Sequence, residues 1–183
     1  MEKVYFREEP QQVSVVRELG GWRTDVVMDI RKLAGDELET ARDDGLLGDD
    51  EEDLWTGVSV LTLHHDTPLT DAEKVKKAIV DYIDARTDER ILSGFVWNGV
   101  KVWLSAENQR NFSEGQRAAM ITSGQSLPIT FKLGQDSEGR PAYHEFTTIE
   151  ELTGFYLQAV AYINQCLVDG WAKKDAACAA LTD

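Results

Sequence analysis

The clearest local pattern in this sequence is FVWNGVKVW, residues 95–103. Asn-Gly between two runs of alternating apolar residues favours a β-hairpin with a two-residue type I′ turn, because both turn residues need a positive φ. The predicted register pairs Trp97 with Val100 and Phe95 with Val102. These four side chains therefore share one face of the hairpin.

Helices are predicted on both sides of this hairpin. Upstream, Thr70-Asp71-Ala72-Glu73 is a capping box, which starts a helix that ends near Ser93-Gly94. Downstream, Ser105 is a good N-cap for a helix from Ala106 to about Thr122, and Gly124 is a good C-terminal stop. The apolar stripe of the upstream helix consists of Val75, Ala78, Ile79, Tyr82 and Ile83.

A second hairpin is predicted from Leu127 to Phe146, around a polar loop from Gly134 to Pro141. The apolar residues of its arms are Ile129, Phe131, Leu133, Tyr143 and Phe146. Thr148 and Glu151 form another capping box, which opens a final helix from Ile149 to Ala180 with a weak point at Gly170. The buried stripe expected on this helix is Leu152, Phe155, Tyr156, Ala159, Ile163, Leu167 and Trp171.

The N-terminal third of the chain has the pattern of a β-rich region. Turn residues at Gly20-Gly21 separate two of its apolar runs. The predicted strands are Lys3 to Phe6, Val13 to Glu18, Val26 to Ile30 and Trp55 to His64. We therefore expect an α+β fold: a mainly β region over residues 1–66, a connector at Thr67 to Leu69, then three helices with two β-hairpins over residues 70–183.

Acidic residues are concentrated in one segment. The chain has a net charge of -14, and residues 36–53 hold ten acidic residues and one arginine. Self-repulsion and few large apolar side chains predict an extended, mobile acidic loop here. The overall charge opposes binding to nucleic acid or to an anionic membrane surface, so we expect neither as a partner.

Length and composition place the chain among globular proteins. Its 183 residues, 42% of them apolar, can fill a core of their own. The first residues lack the apolar core of a signal peptide, and no run of about 18 apolar residues occurs. Cys166 and Cys178 on one helix would lie roughly 18 Å apart, too far for a disulfide. We expect a soluble protein in a reducing compartment.

Few residues have the spacing that a catalytic site or a metal site needs. His64-His65-Asp66 resembles a metal site, but adjacent strand residues point to opposite faces. His144 and Glu145 diverge for the same reason, which favours a solvated hairpin face. Cys166 lies in an apolar stripe, which favours a buried structural thiol. We therefore predict no catalytic residue, no metal and no cofactor.

From Ile91 onward, the order of features resembles a family of uncharacterised domains in tailed bacteriophages and prophages, often beside or within tail-fibre and virion genes. The matching residues are Gly94-Phe95, Asn98-Gly99, Trp103-Leu104, Arg110, Gly124, Tyr162, Cys166 and Ala176 to Leu181. The resemblance covers roughly residues 70–183. This sequence departs from the family pattern at Ser105, where an aspartate cap is common, and in its longer second hairpin loop. The resemblance implies a phage setting and a structural or assembly role, with no catalytic residues to transfer.

We expect a non-enzymatic phage virion structural or assembly protein, associated with the tail or an appendage, in the virion or the host cytoplasm. Its partners would be other phage structural proteins and further copies of itself. The predicted contact residues are Val96, Asn98, Gly99 and Trp103 of the hairpin, together with the alanine-rich face of the last helix (Ala172 to Ala180). Trp55 is the best candidate for an exposed tryptophan, beside the acidic loop. The alternative is an acidic intracellular phage effector that blocks a basic site on a host protein. A third class, a glycan-binding appendage, needs an exposed tryptophan.

Overall fold

The computed structural model describes residues 2–48, 53–66, 72–136 and 138–180. The chain divides into two compact units. The first unit comprises Met1–Tyr82 and Ala177–Asp183, and the second comprises Ile83–Ala176. The α+β class is confirmed, with a β-rich first region followed by three helices and two hairpins.

The first unit contains a four-stranded antiparallel sheet. Its strands are β1 (Glu2–Phe6), β2 (Val13–Glu18), β3 (Gly21–Lys32) and β4 (Trp55–His65), in the order β1-β4-β3-β2. Gly20 has a φ of 107°, as the predicted turn between β2 and β3 requires. The strand β3 is much longer than the predicted Val26 to Ile30, because it pairs with β4 from Trp22 to Lys32 and, over its first half, also with β2.

The acidic segment begins as a helix, which differs from the extended loop that its charge predicts. Residues Asp36–Asp43 form α1. Repulsion among the acidic side chains is offset locally, since Arg31 binds Glu37 with two hydrogen bonds of 2.6 Å and Arg42 binds Glu39 at 3.1 Å. The few apolar residues of this segment and its flanks then form a small core of Leu33, Ala41, Leu47 and Leu54. Apolar burial at these positions holds the segment in place although its other positions are charged.

The next helix, α2 (Ala72–Ser93), starts in the first unit and carries the predicted apolar stripe, in which Val75 and Ile79 are buried. The Tyr82 hydroxyl donates a 2.6 Å hydrogen bond to the carboxylate of Asp29. Asp29 has a φ of 50° and lies where the pairing of β3 with β4 is irregular. The capping residue predicted for this helix, Thr70, and the Thr67 to Leu69 connector lie outside the described residues.

In the second unit, the two predicted hairpins join into one sheet. The strands are β5 (Phe95–Trp97), β6 (Val100–Val102), β7 (Ile129–Gln135) and β8 (Pro141–Phe146), in the order β5-β6-β7-β8. Gly134 pairs with Val102, and a Cβ at this position would lie 2.2 Å from the Lys101 carbonyl oxygen. The missing side chain thus permits the close approach that joins the hairpins.

The loop of the second hairpin is shorter than expected. Pairs of Gly134 with Ala142 and of Gln135 with Pro141 continue the strands into the segment predicted as loop. The remaining turn is held by the Asp136 carboxylate, which accepts hydrogen bonds from the main-chain N–H groups of Glu138 and Arg140. A polar composition predicted the turn but not how far the strands extend toward it.

Both later helices start at the predicted caps. In α3 (Ala106–Ile121), the Ser105 hydroxyl accepts a hydrogen bond from the Asn108 N–H at 3.2 Å, and in α4 (Ile149–Ala180) Thr148 accepts one from Glu151 N–H at 3.2 Å. The predicted weak point at Gly170 does not break α4. A Cβ there would lie 2.6 Å from the Thr87 hydroxyl oxygen, so this glycine allows α4 to approach α2 closely.

The core of the second unit is aromatic and lies between the sheet and the helices. Phe155 of α4 lies within 5.0–5.1 Å, centroid to centroid, of Trp97, Phe112 and Phe146. The predicted hairpin register is confirmed, and it points Phe95, Trp97 and Val102 into this core. Among the helices of the described residues, none combines the length and apolar character needed to cross a membrane.

Candidate functional site

The predicted contact face of the first hairpin is exposed. Asn98 and Gly99 have φ angles of 48° and 79°, which are the left-handed conformations of a type I′ turn. With the opposite face in the core, Val96 is 54% exposed and Trp103 is 38% exposed. The structure therefore brings these four predicted residues together on one rigid β-hairpin, with apolar surface facing solvent.

This outward face continues across the second hairpin. Tyr143 on β8 is 65% exposed and pairs with Lys132 on β7. Lys101 on β6 pairs with Val96 and is also exposed. The sequence places Tyr143 among the apolar residues of the hairpin arms, but alternation along β8 turns it away from Phe146. We call Val96, Lys101, Trp103, Lys132 and Tyr143 the outer sheet face.

Trp55 does not belong with these residues. It is the first residue of β4, in the first unit, where it pairs with Phe6 of β1 and Lys32 of β3. Flanked by strands on both sides, its side chain is half-buried rather than exposed as expected. The aromatic and apolar candidates of the outer sheet face are thus confined to the second unit.

A second exposed apolar surface runs along α4. Trp171, expected in the buried stripe, is 52% exposed. Residues four positions apart on an α-helix differ by about 40° in direction. This difference accumulates over the four such steps from Phe155 to Trp171, so Trp171 points away from the core. The buried residues near this end of the helix are Cys166 and Gly170. Tracing the stripe with the actual pitch of an α-helix would have identified Trp171 as exposed.

Three residues that carry the family resemblance meet where α2, β5 and α4 join. The Tyr162 hydroxyl and the Gly94 N–H both donate hydrogen bonds of 2.9 Å to the carbonyl oxygen of Arg90. A Cβ on Gly94 would lie 2.1 Å from the Tyr162 hydroxyl oxygen, so only glycine fits. Burial and a hydrogen bond with the Cys166 thiol raise the pKa of Tyr162 above its usual value, although Arg90 acts in the opposite direction.

This cluster joins secondary-structure elements and offers little access for a substrate. Cys166 is 1% exposed, which confirms the prediction of a buried thiol. On the surface beside it, Arg90 forms a 2.8 Å ion pair with Asp169, and hydrogen bonds from Arg90 and Gln165 lower the pKa of Asp169. The spacing between Gly94, Tyr162 and Cys166 is therefore explained by packing.

A family model described as a domain of unknown function (DUF4376) matches residues 74–183, more than half of the chain. The chain belongs to this family. No curated protein and no solved structure matches the chain. The DUF4376 region starts two residues into α2 and includes the outer sheet face, α3, α4 and the Gly94–Tyr162–Cys166 cluster.

Within the DUF4376 region, His144 differs from the solvated position expected for it. Its ring lies on the core side of β8, with centroids 4.8 Å from Trp97 and 4.5 Å from Phe146. Its Nε2 atom lies 2.8 Å from the Glu151 carboxylate. Only the Thr148 half of the expected capping box forms as predicted, because the Glu151 carboxylate lies against His144 instead. Glu145, the neighbour of His144, is exposed as expected.

Outside the DUF4376 region, His64 and Trp22, the second residue of β3, border a cavity of about 310 Å³. Glu18, Trp22, His64 and Asp66 line it. His64 Nδ1 lies 3.4 Å from the Glu18 carboxylate, which also pairs with Arg23. Among the described residues, no group of three His, Cys, Asp or Glu side chains is arranged to hold a metal ion. The side chain of His65 lies outside the described part of the chain.

Proposed function

We propose that this chain is a non-enzymatic bacteriophage virion structural or assembly protein, associated with the tail or an appendage, which acts through protein–protein contacts. The supporting observation is the outer sheet face, where Val96, Trp103 and Tyr143 present apolar surface on strands whose opposite side is anchored in an aromatic core. The phage setting rests on the resemblance carried by residues 70–183.

The chemistry of the outer sheet face suits a protein partner. Rigid aromatic side chains contribute large contact areas at a small cost in conformational entropy, and they are enriched at the energetic centres of interfaces. Lys101 and Lys132 place two positive charges on this face, and Glu145, exposed two residues from Tyr143 on β8, places one negative charge there. A partner with an apolar centre and a charged, mainly acidic rim would complement it.

The proposal includes no cofactor, nucleic acid or membrane. The partners are other phage structural proteins and further copies of this chain, in the virion or in the host cytoplasm. The contact residues are Val96, Asn98, Gly99 and Trp103, together with Tyr143. Trp55, half-buried in the first unit, is a weaker candidate than the sequence indicates.

Quantitative mass spectrometry of purified phage particles tests the proposal. A virion component should be present in a fixed stoichiometry, whereas an assembly factor should be abundant in infected cells and missing from particles. In either case, Val96→Gln should reduce assembly. Ile121→Gln is the matched control, because Ile121 is also exposed but lies at the end of α3 rather than on the outer sheet face. Normal assembly of the Val96 variant would contradict the assigned face.

The alternative function is an acidic intracellular effector that occupies a basic site on a host protein. The observation in its favour is α1, since a helix displays Asp36, Glu37, Glu39 and Asp43 on a folded surface. Ion pairs within the unit weaken this display, because Arg31, Arg42 and Lys32 bind Glu37, Glu39 and Asp53 respectively.

Salt separates the two functions. Contacts between exposed charges are screened over about 10 Å at 0.1 M salt, so an electrostatic decoy should lose its partner steeply as salt rises. An apolar contact through the outer sheet face should persist. If the chain is an assembly protein, substitution of Asp36 and Asp43 by Asn should leave assembly unchanged. If it is a decoy, the same substitutions should weaken its binding to the host protein, and that loss would support the alternative.

A further inference from the structure

The helix α4 has a second apolar face opposite the one that it packs into the core. The large side chains on this face are Leu157, Val160, Val168 and Trp171, with exposed fractions of 59%, 42%, 45% and 52%. Asn164, also exposed, lies in the middle. From residue 152 to residue 168 the sequence contains no charged side chain. A helix that is apolar on two sides commonly packs against a partner on each.

The spacing of these residues identifies the partner. The steps between residues 157, 160, 164, 168 and 171 are three, four, four and three, a series that is the same in both directions. Two such helices side by side and antiparallel therefore place Leu157 opposite Trp171, Val160 opposite Val168, and Asn164 opposite itself. We propose that two copies of this chain associate through this face of α4, with the two-fold axis at Asn164. This inference rests on the proposed contact function and names the second copy as a partner.

A small groove beside the face provides a place for the exposed indole. A cavity of about 120 Å³ lies between α3 and α4, lined by Gln109, Phe112, Tyr156, Ala159, Val160 and Ile163. In the antiparallel pair, Trp171 of the second copy lies opposite Leu157, next to Tyr156 and Val160, and on the groove side of the helix. Each copy then contributes one indole and receives one, as an isologous interface requires.

Charge and bulk favour the antiparallel over the parallel arrangement. In a parallel pair, the two Trp171 side chains would meet, and the acidic first turns, Glu150 and Glu151, would lie side by side. In the antiparallel pair, the two acidic first turns lie at opposite ends of the interface, and each Trp171 meets Leu157 instead. At the axis, two asparagine amides can donate to and accept from each other.

Sedimentation of the full chain over a range of concentrations tests for the dimer. Trp171→Ala should weaken dimerisation by roughly tenfold or more, as expected for a large aromatic side chain that association buries in a groove of the partner. Val168→Gln, an independent substitution on the same face, should also weaken dimerisation. Met120→Ala, which truncates an exposed side chain of α3 outside both proposed contact faces, is the matched control and should leave dimerisation unchanged. Far-ultraviolet circular dichroism confirms that each variant is folded.

Cross-linking tests the geometry. In a Cys178→Ser background, with Cys166 buried, Asn164→Cys should be joined to its copy by a short bifunctional maleimide. Gln158→Cys should not, because the antiparallel pair separates the two copies of this position by twelve residues, about 18 Å. A monomer at every concentration, a dimer insensitive to both Trp171→Ala and Val168→Gln, or equal cross-linking at both positions would overturn the inference.

The two proposals fail separately. A monomeric chain that is present in phage particles would overturn the α4 dimer alone. A dimer with the cross-linking pattern above, in a chain with no role in particles or their assembly, would overturn the phage function alone.

Discussion

The hydroxyl of Tyr162 donates a hydrogen bond to the carbonyl oxygen of Arg90, 2.9 Å away and 72 positions earlier in the chain. The same oxygen accepts the N–H of Gly94. Hydrogen bonds to this one carbonyl oxygen thus link the end of α2, the start of β5 and the middle of α4. Several measurable properties of the second unit depend on this arrangement.

Gly94→Ala should destabilise the second unit by about 1–3 kcal/mol, because the new methyl group would overlap the Tyr162 hydroxyl and the Arg90 carbonyl. Gly154→Ala is the matched control. A Cβ at Gly154 meets nothing within 4 Å inside α4, so this substitution should stabilise by about 0.8–1 kcal/mol. Urea denaturation followed by circular dichroism measures both. Equal effects of the two substitutions would contradict the close packing at Gly94.

The pKa of Tyr162 should produce a loss of stability in alkali. Burial and the Cys166 hydrogen bond raise this pKa in the folded state, so the folded protein retains the phenolic proton longer than the unfolded chain does. The contribution is complete below the unfolded pKa near 10 and is lost as the pH rises through the folded pKa. Urea midpoints of the wild type and of Tyr162→Phe between pH 8 and 11 test this. The alkaline decrease should be smaller in the variant, and equal decreases would argue against it.

Asp169 should contribute to stability at neutral pH and lose that contribution in acid. Hydrogen bonds from Arg90 and Gln165 lower its pKa in the folded state, so the unfolded chain binds the proton more readily. The contribution is present above the unfolded pKa near 4 and disappears as the pH falls through the folded pKa. Asp169→Asn should therefore differ from the wild type at pH 6 and converge with it near pH 2. A constant difference over this range would exclude the carboxylate as the cause.

His144→Ala should cost about 1–2 kcal/mol, because the ring packs on Trp97 and Phe146 and its Nε2 lies 2.8 Å from Glu151. Glu145→Ala, one residue along the same strand and exposed, should change stability by less than about 0.5 kcal/mol. Thermal denaturation of both variants gives the comparison. If the two substitutions have the same small effect, His144 is solvated in solution.

Leu47→Ala should release the acidic segment locally. Leu47 is buried with Leu33, Ala41 and Leu54, so its truncation should cost about 2–4 kcal/mol for this small cluster. Leu46→Ala, at an adjacent exposed residue, should cost less than about 1 kcal/mol. Hydrogen exchange over residues 36–48 should become faster in the Leu47 variant only. Fast exchange of this segment in the wild type would instead support the extended loop that its charge predicts.

The elements that sequence patterns predicted best are those fixed by local geometry. The Asn98-Gly99 turn fixes the register of β5 and β6, and the Ser105 and Thr148 hydroxyls mark the starts of α3 and α4. The patterns were less informative where contacts between residues far apart in the sequence determine the structure. Arg31 lies outside the acidic segment and neutralises Glu37, and Gly134 joins two hairpins that are separated by a whole helix.

The candidate surface was predicted in part, for a similar reason. Alternation along β5 and β6 identified Val96 and Trp103 as outward-facing residues, whereas Tyr143 joins them only because the two hairpins share one sheet. On α4, approximate four-residue spacing assigned Trp171 to the core, and the accumulated rotation of the helix places it on the opposite side. Short patterns therefore located single faces, and longer-range geometry determined which faces combine.

The strand order of the first unit has a consequence for protein synthesis. Among its four strands, β1 is made first, yet it pairs with β4, where Lys3 lies beside Val58. The β2–β3 hairpin can form as soon as it leaves the ribosome, but β1 has no neighbour until β4, which begins at Trp55, has been translated. The strand that is made first is thus the last of the four to be placed, and its edge stays open to other chains during that interval.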